Sequence, residues 1–182
     1  MLAVTLNDQL TPLLGALTVA RIEAALKRAV YKTGKWVLTY TRREVVRGTR
    51  MPAFVLKPRL NVYRDRHGNL AAKMWLGLRP VKATTLAKGS PPKQTVRGVR
   101  VRRFTFDKAF LLNIPGQGAV PFVRTGRGRW ALKVPTIDWS IEGKDVFESV
   151  LPKAGERFQE LARQELNYEI KKARGEARSR AR

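Results

Sequence analysis

Between Ile22 and Tyr40 the residues Ile22, Ala25, Leu26, Ala29, Val30, Thr33, Val37 and Tyr40 recur at spacings of three and four. That spacing places them on one stripe of a helix and leaves Arg28, Lys32, Lys35, Arg42 and Arg43 mainly on the other side. Thr11 ahead of Pro12 supplies a cap with proline in the first turn, and Gly48 a stop. The pattern predicts a helix over 12–46, with Gly15 and Gly34 as its weak points. A second stripe runs through Phe147, Val150, Leu151, Ala154, Phe158, Leu161, Ala162, Leu166 and Ile170. It predicts a C-terminal helix interrupted near Pro152 and Gly155, ending in a basic tail that frays.

The residues between these helices change period. Prolines and basic residues over 52–58 read as a connector. Strands over 59–65 and 70–78 flank Arg66-His67-Gly68-Asn69, a hairpin turn. Residues 80–94, with Gly89, Ser90, Pro91 and Pro92, read as a surface loop. The stretch 99–109 reads as one further strand and 113–118 as a loop. Strands over 120–124 and 130–134 form a second hairpin around Thr125-Gly126-Arg127-Gly128. The expected architecture is α+β: a long N-terminal helix, an antiparallel sheet of four to five strands and a C-terminal helix. A single domain over 1–170 would be followed by a flexible basic tail over 171–182. No internal repeat is visible.

Charge narrows the function classes. Lys and Arg number 37 against 14 Asp and Glu, a formal net of +23. Such self-repulsion calls for an anionic partner: nucleic acid, an acidic protein face or a membrane surface. Residues 1–137 hold 27 basic and 5 acidic side chains, residues 138–170 hold 4 and 8, and residues 171–182 hold 6 and 1. A basic body, an acidic segment and a basic tail suit head-to-tail contact between copies as well as nucleic-acid binding. No apolar run reaches the length of a membrane span, and the N-terminus lacks a basic region ahead of its apolar residues. The chain reads as soluble and made in a cytoplasm, which the lack of cysteine also fits.

No reactive centre is legible. The four serines and His67 are scattered, and His67 reads as a surface turn residue. Arg124-Thr-Gly-Arg-Gly-Arg129 resembles a phosphate-binding loop only superficially. It lacks the Lys-Ser/Thr ending and the strand-to-helix context, and reads as a basic hairpin tip. Asp138, Glu142 and Asp145 have no calcium-loop spacing and suit the start of the last helix, whose dipole favours negative charge. No cofactor or metal is expected.

The candidate contact residues are the arginines and lysines that cluster. Arg97, Arg100, Arg102 and Arg103 lead into Phe104 and Phe106, and Arg124, Arg127 and Arg129 lead into Trp130. Lys171, Lys172, Arg174 and Arg178 make up much of the tail. Guanidinium groups beside aromatic rings can bind phosphates, stack on bases or lie over a core. Alternating aromatics in a sheet read as core ahead of a base-stacking platform. Bound nucleic acid would be held by its phosphates without sequence readout.

Two blocks carry a resemblance: WLGLRPVKA over 75–83, and FTFDKAF over 104–110 followed through a Gly-rich loop by VRTGRGR over 123–129. With the N-terminal helix rich in Ala and Arg and the acidic helix ending in basic residues, their order resembles the minor tail protein Z (tail-completion) family of tailed bacteriophages. The loop 113–119 and the residues after Lys133 depart from that pattern. The resemblance implies a virion component at the head-proximal end of the tail, similar to adaptors that finish the tail and help seat the DNA end. Its partners would be a terminator or connector ring, a tape measure and further copies of itself in a homo-oligomeric ring. It carries no catalytic residues. Trp75, Gly77, Pro80, Phe106, Ala109, Phe110, Arg124, Gly126 and Arg129, which match its motifs, would serve as packing and turn positions with an arginine contact surface. The alternative is a sequence-nonspecific nucleic-acid-binding protein of the ribosome or nucleoid. An enzyme such as a nuclease would need more acids near the basic strands than the sequence supplies.

Overall fold

The computed structural model describes residues 17–65 and 69–180, with side chains up to Gly175. It is α+β, with a long N-terminal helix, antiparallel strands and a C-terminal helix. Two compact units divide the chain. The first takes in the chain up to Arg42, Leu60–Leu76 and the chain from Val146; the second is Arg43–Arg59 with Gly77–Asp145.

The first unit is built on helix α1, Val19–Thr49, whose last turns belong to the second unit, and on helix α5, Ala154–Arg180. The stripe read from the sequence is the buried face. Ala25 packs with Leu166 and Ile170, Ala29 with Leu161 and Ala162, and Val37 with Val150 and Ala154. As α1 advances its partners recede along α5, so the two helices run antiparallel. Alanines on both sides let ridges and grooves approach closely. The hairpin of β1, Leu60–Arg64, and β2, Ala72–Leu76, pairs Leu60 with Leu76 and Arg64 with Ala72. The turn residues 66–68, His67 among them, lie outside the described part, as do Pro12 and Gly15.

Gly34 does not break α1. A Cβ there would stand 3.1 Å from Val62 Cγ1, so this glycine is a point of close approach between the hairpin and the helix. The buried hydroxyls of Thr33 and Thr41 donate to the carbonyls of Ala29 and Val37, which keeps them satisfied inside an apolar stripe. Gly48 is not the stop either. The helix runs on to Thr49 and closes with Arg50 at φ 57, whose N–H donates to Val46 O at 2.9 Å. That is a left-handed cap made without glycine. At the other end, the break near Pro152 is a 3-10 turn over Leu151–Lys153, while Gly155 lies within α5. Helix α5 continues through Lys171, Lys172 and Arg174 to Arg180.

In the second unit come a helical turn α2, Ala53–Leu56, then β3, Val81–Lys82, and a helical turn α3, Ala83–Leu86. Seven strands follow: β4 Lys93–Thr95, β5 Gly98–Val101, β6 Phe104–Asp107, β7 Phe110–Ile114, β8 Gly118–Arg124, β9 Leu132–Lys133 and β10 Thr136–Ile137. Helix α4, Ser140–Val150, starts in this unit. The strands form small antiparallel sheets, β4-β5-β6, β7-β8-β9 and β10-β3, separate from the β1-β2 pair of the first unit, instead of one sheet of four to five.

Three sequence expectations change here. The stretch 99–109 is a hairpin and not one strand, because Val101 pairs with Phe104 across a turn at Arg102 and Arg103. Residues 80–94 are a surface loop only over 87–92, around Gly89, Ser90, Pro91 and Pro92. Val81 pairs with Ile137, and Val81, Ala83 and Leu86 are fully buried. Asn113 and Ile114 belong to β7, so the loop expected at 113–118 shrinks to the turn before Gly118. Trp139 is wholly buried, and its indole N–H donates to Arg79 O at 3.2 Å. Gly143 faces that ring so closely that a Cβ would fall 2.7 Å from it. Only glycine fits there without displacing the tryptophan.

Candidate functional site

The arginines read from the sequence have different fates. Arg97 sits in the tight turn between β4 and β5, exposed beside the fully exposed Val96. Arg100 points away from the buried Val99 and Val101, on the open face of β5. Its partner in register on β4 is Lys93, also exposed, so two cations stand directly opposite each other. Like charges at opposed positions destabilise a pair of strands unless something anionic lies against them. Sequence reasoning missed Lys93, because β4 shows only once it is paired.

Arg102 is not a free contact residue. It takes φ 53 in the β5–β6 turn and donates from Nε to Leu86 O at 2.8 Å and from Nη2 to Lys88 O at 2.6 Å. Its guanidinium also lies 5.1 Å from the Phe54 ring centroid. These contacts tie the turn to the carbonyls at the end of α3, a structural use of the side chain. Arg103, next to it, is exposed.

Arg124, Arg127 and Arg129 lie at the tip between β8 and β9, and all three are exposed. The tip joins two strands, as a basic hairpin should and a nucleotide loop should not. Arg124 stacks 5.7 Å from the Phe110 ring and Arg129 5.3 Å from the Trp130 ring. The expectation that aromatics here form core holds for Phe106, which is buried, and fails for Trp130, which is 81% exposed. Lys171, Lys172 and Arg174 are exposed on α5, and the side chain of Arg178 lies outside the described part. Among the described residues, none of Arg97, Arg100, Arg103, Arg124, Arg127 and Arg129 pairs with a carboxylate.

The acids are spent elsewhere. In the first unit Arg28 donates from Nε to Glu165 Oε2 at 2.7 Å and from Nη2 to Glu169 Oε1 at 2.5 Å, and Lys32 pairs with Glu165. Both glutamates are buried side chains on α5. Burial pushes the Glu165 carboxyl up, but hydrogen bonds from Lys32 and Arg28 outweigh it, and the group titrates below the usual glutamate range. Arg28 is held more firmly protonated, by the Glu165 hydrogen bond first and by Glu169 as well, against the cost of desolvation. The signal for this cluster was available. Arg28 and Lys32 are one helical turn apart, as are Glu165 and Glu169.

Asp138 accepts the Ser140 N–H at 2.9 Å just ahead of α4. That backbone donor, then the Ser140 side chain, holds its carboxyl below the usual aspartate range. Glu142 lies in the first turn of the same helix. Both are structural, as their position relative to the helix dipole suggests.

An apolar cleft of about 410 Å³ lies in the first unit, lined among others by Leu26, Val30, Gly34, Met74, Leu151 and Phe158. Among the described residues, no three His, Asp or Glu side chains are grouped to hold a metal ion, and no helix is long and apolar enough to cross a membrane. Searches against protein-family models, curated proteins and solved structures give no match.

Proposed function

We propose that this chain is a structural virion protein of a tailed bacteriophage: a tail-completion adaptor at the head-proximal end of the tail, without catalytic activity. Several copies form a ring, and the hairpin arginines of the second unit meet an anionic partner, either DNA at its end or the acidic face of a neighbouring neck protein. The observation that carries this reading is the segregation of charge. In the first unit Glu165 and Glu169 are taken up by Arg28 and Lys32, while the exposed arginines of β5 and of the β8–β9 tip have no carboxylate among the described residues. A cationic surface kept free of internal partners suits an external polyanion. The order of the 75–83 and 104–129 blocks adds the likeness to tail-completion proteins.

Two measurements test it. Cryo-EM of the virion should place the chain at the neck, and light scattering of the purified protein should give a closed oligomer. A chain absent from the neck and tail rejects the adaptor. A monomer that binds any duplex with a steep salt dependence supports the ribosome- or nucleoid-type alternative in its place.

A further inference from the structure

The tip between β8 and β9 holds a large aromatic ring out in solvent on a well-closed loop. The Thr125 N–H donates to Ala131 O at 2.8 Å, the Leu132 N–H to Trp130 O at 2.7 Å and the Ala131 N–H to Gly128 O at 3.2 Å. Trp130 is nonetheless 81% exposed. A tryptophan normally hides most of its surface in a core or an interface, so an open ring on a closed loop is available to stack on something outside the chain.

The surroundings specify the chemistry. Arg129 lies 5.3 Å from the ring centroid, Arg124 and Arg127 are exposed on the same tip, and no acidic residue occurs between Asp107 and Asp138. Gly126 and Gly128 alternate with the arginines, yet the fold does not demand glycine at either position. Neither has a positive φ, and a Cβ would make only ordinary contact with Ala131, at 3.5 and 3.9 Å. Their bareness leaves the backbone open to close approach from outside.

We infer that this tip binds an unpaired nucleic-acid strand, with a base stacked on Trp130 and the flanking phosphates held by Arg124 and Arg127. Stacking on an aromatic ring with arginines tracking the backbone is how single strands are held without sequence preference. Inside a duplex the bases already stack on one another on both faces and offer the ring none, so a duplex for comparison is closed at its ends by hairpin loops. An acidic protein would satisfy the arginines and leave the ring unused. A membrane surface would need more apolar area than one ring supplies. The inference shares with the adaptor reading only the premise that these arginines meet an external anion.

The test uses the full chain, with circular dichroism to show that each variant is folded. Fluorescence anisotropy would compare a labelled oligothymidine of about sixteen nucleotides with a duplex of equal length. Trp130→Ala should weaken oligothymidine binding about tenfold or more and leave duplex binding within about twofold, with Trp130→Phe largely retaining it. Arg124→Ala with Arg127→Ala should weaken both. Equal effects of Trp130→Ala on the two probes, or none, overturn the stacking contact. So does a Trp130-dependent attachment to phosphatidylglycerol vesicles without any effect on oligothymidine. A wild-type chain that binds the duplex but not the oligothymidine sinks this inference alone. Failure of the wild-type chain to bind either probe overturns this inference, while the virion location tests the adaptor separately.

Discussion

In the first unit Arg28 and Lys32 reach across to Glu165 and Glu169, and the four side chains close a compact ionic cluster between two antiparallel helices. In the second unit Arg100 stands opposite Lys93, and the β8–β9 tip carries three arginines with no acid. The same residue types therefore do opposite jobs. Helix α5 brings glutamates to the cations of α1 at matching one-turn intervals. The short hairpins of the second unit come from a stretch almost without acids, so their cations stay available. An excess of positive charge says only that some of it faces outward; the fold decides which.

Several substitutions would break or sharpen this contrast. The largest effect should come from Trp139→Ala, about 3–5 kcal/mol of lost stability in a denaturant melt, because a fully buried ring leaves a cavity against Gly143. It tests whether the second unit owes its stability to an apolar centre and not to charge. Next comes Glu165→Gln. Removing a buried carboxylate that serves two cations should cost about 1–2 kcal/mol at neutral pH, below the range for fully buried pairs because Arg28 and Lys32 are partly solvated.

That effect carries a pH signature. The folded-state value of Glu165 is depressed, so its contribution is complete above the ordinary glutamate value of 4.5 and is lost as the pH falls through the lower folded value. Thermal melts of wild type and Glu165→Gln should converge in that acid window. A gap that persists there would show that packing, not ionisation, sets the difference.

Arg102→Ala should cost about 1–2 kcal/mol by thermal melt, since it releases two carbonyls from charged donors at a partly exposed turn. Loss of polyanion affinity with unchanged stability would return Arg102 to the contact surface. The smallest effect on stability, under about 0.5 kcal/mol, belongs to the triple change Arg124→Ala, Arg127→Ala and Arg129→Ala. The same variant should lose polyanion binding, with a salt slope lower by up to about 3. A melt shifted by several degrees would mean that the tip is structural after all.

Much of the scaffold was legible because it is periodic. Both helical stripes and two of the hairpins follow from spacing and turn residues alone. What escaped depends on contacts distant in sequence. The turn at Arg102 and Arg103 contains no glycine, asparagine or proline. Its left-handed residue is held by carbonyls of Leu86 and Lys88 that no local pattern announces. The buried stretch around Val81 depends on pairing with Ile137. Of the site, the exposed arginines could be read from clustering, but Lys93 required the register of β4, and Trp130 looked like core because strands near it alternate. Phe110 is half-buried beneath Arg124, so it is a lesser anchor than its place in the 104–110 block implies.

The opposed pair Lys93 and Arg100 has a consequence for assembly. Folding the hairpin sets an ammonium and a guanidinium at opposed positions, and an anion between them would relieve a repulsion that the register itself installed. An anion bound there would stabilise the folded hairpin by mass action, so its affinity and the order of the sheet would be linked.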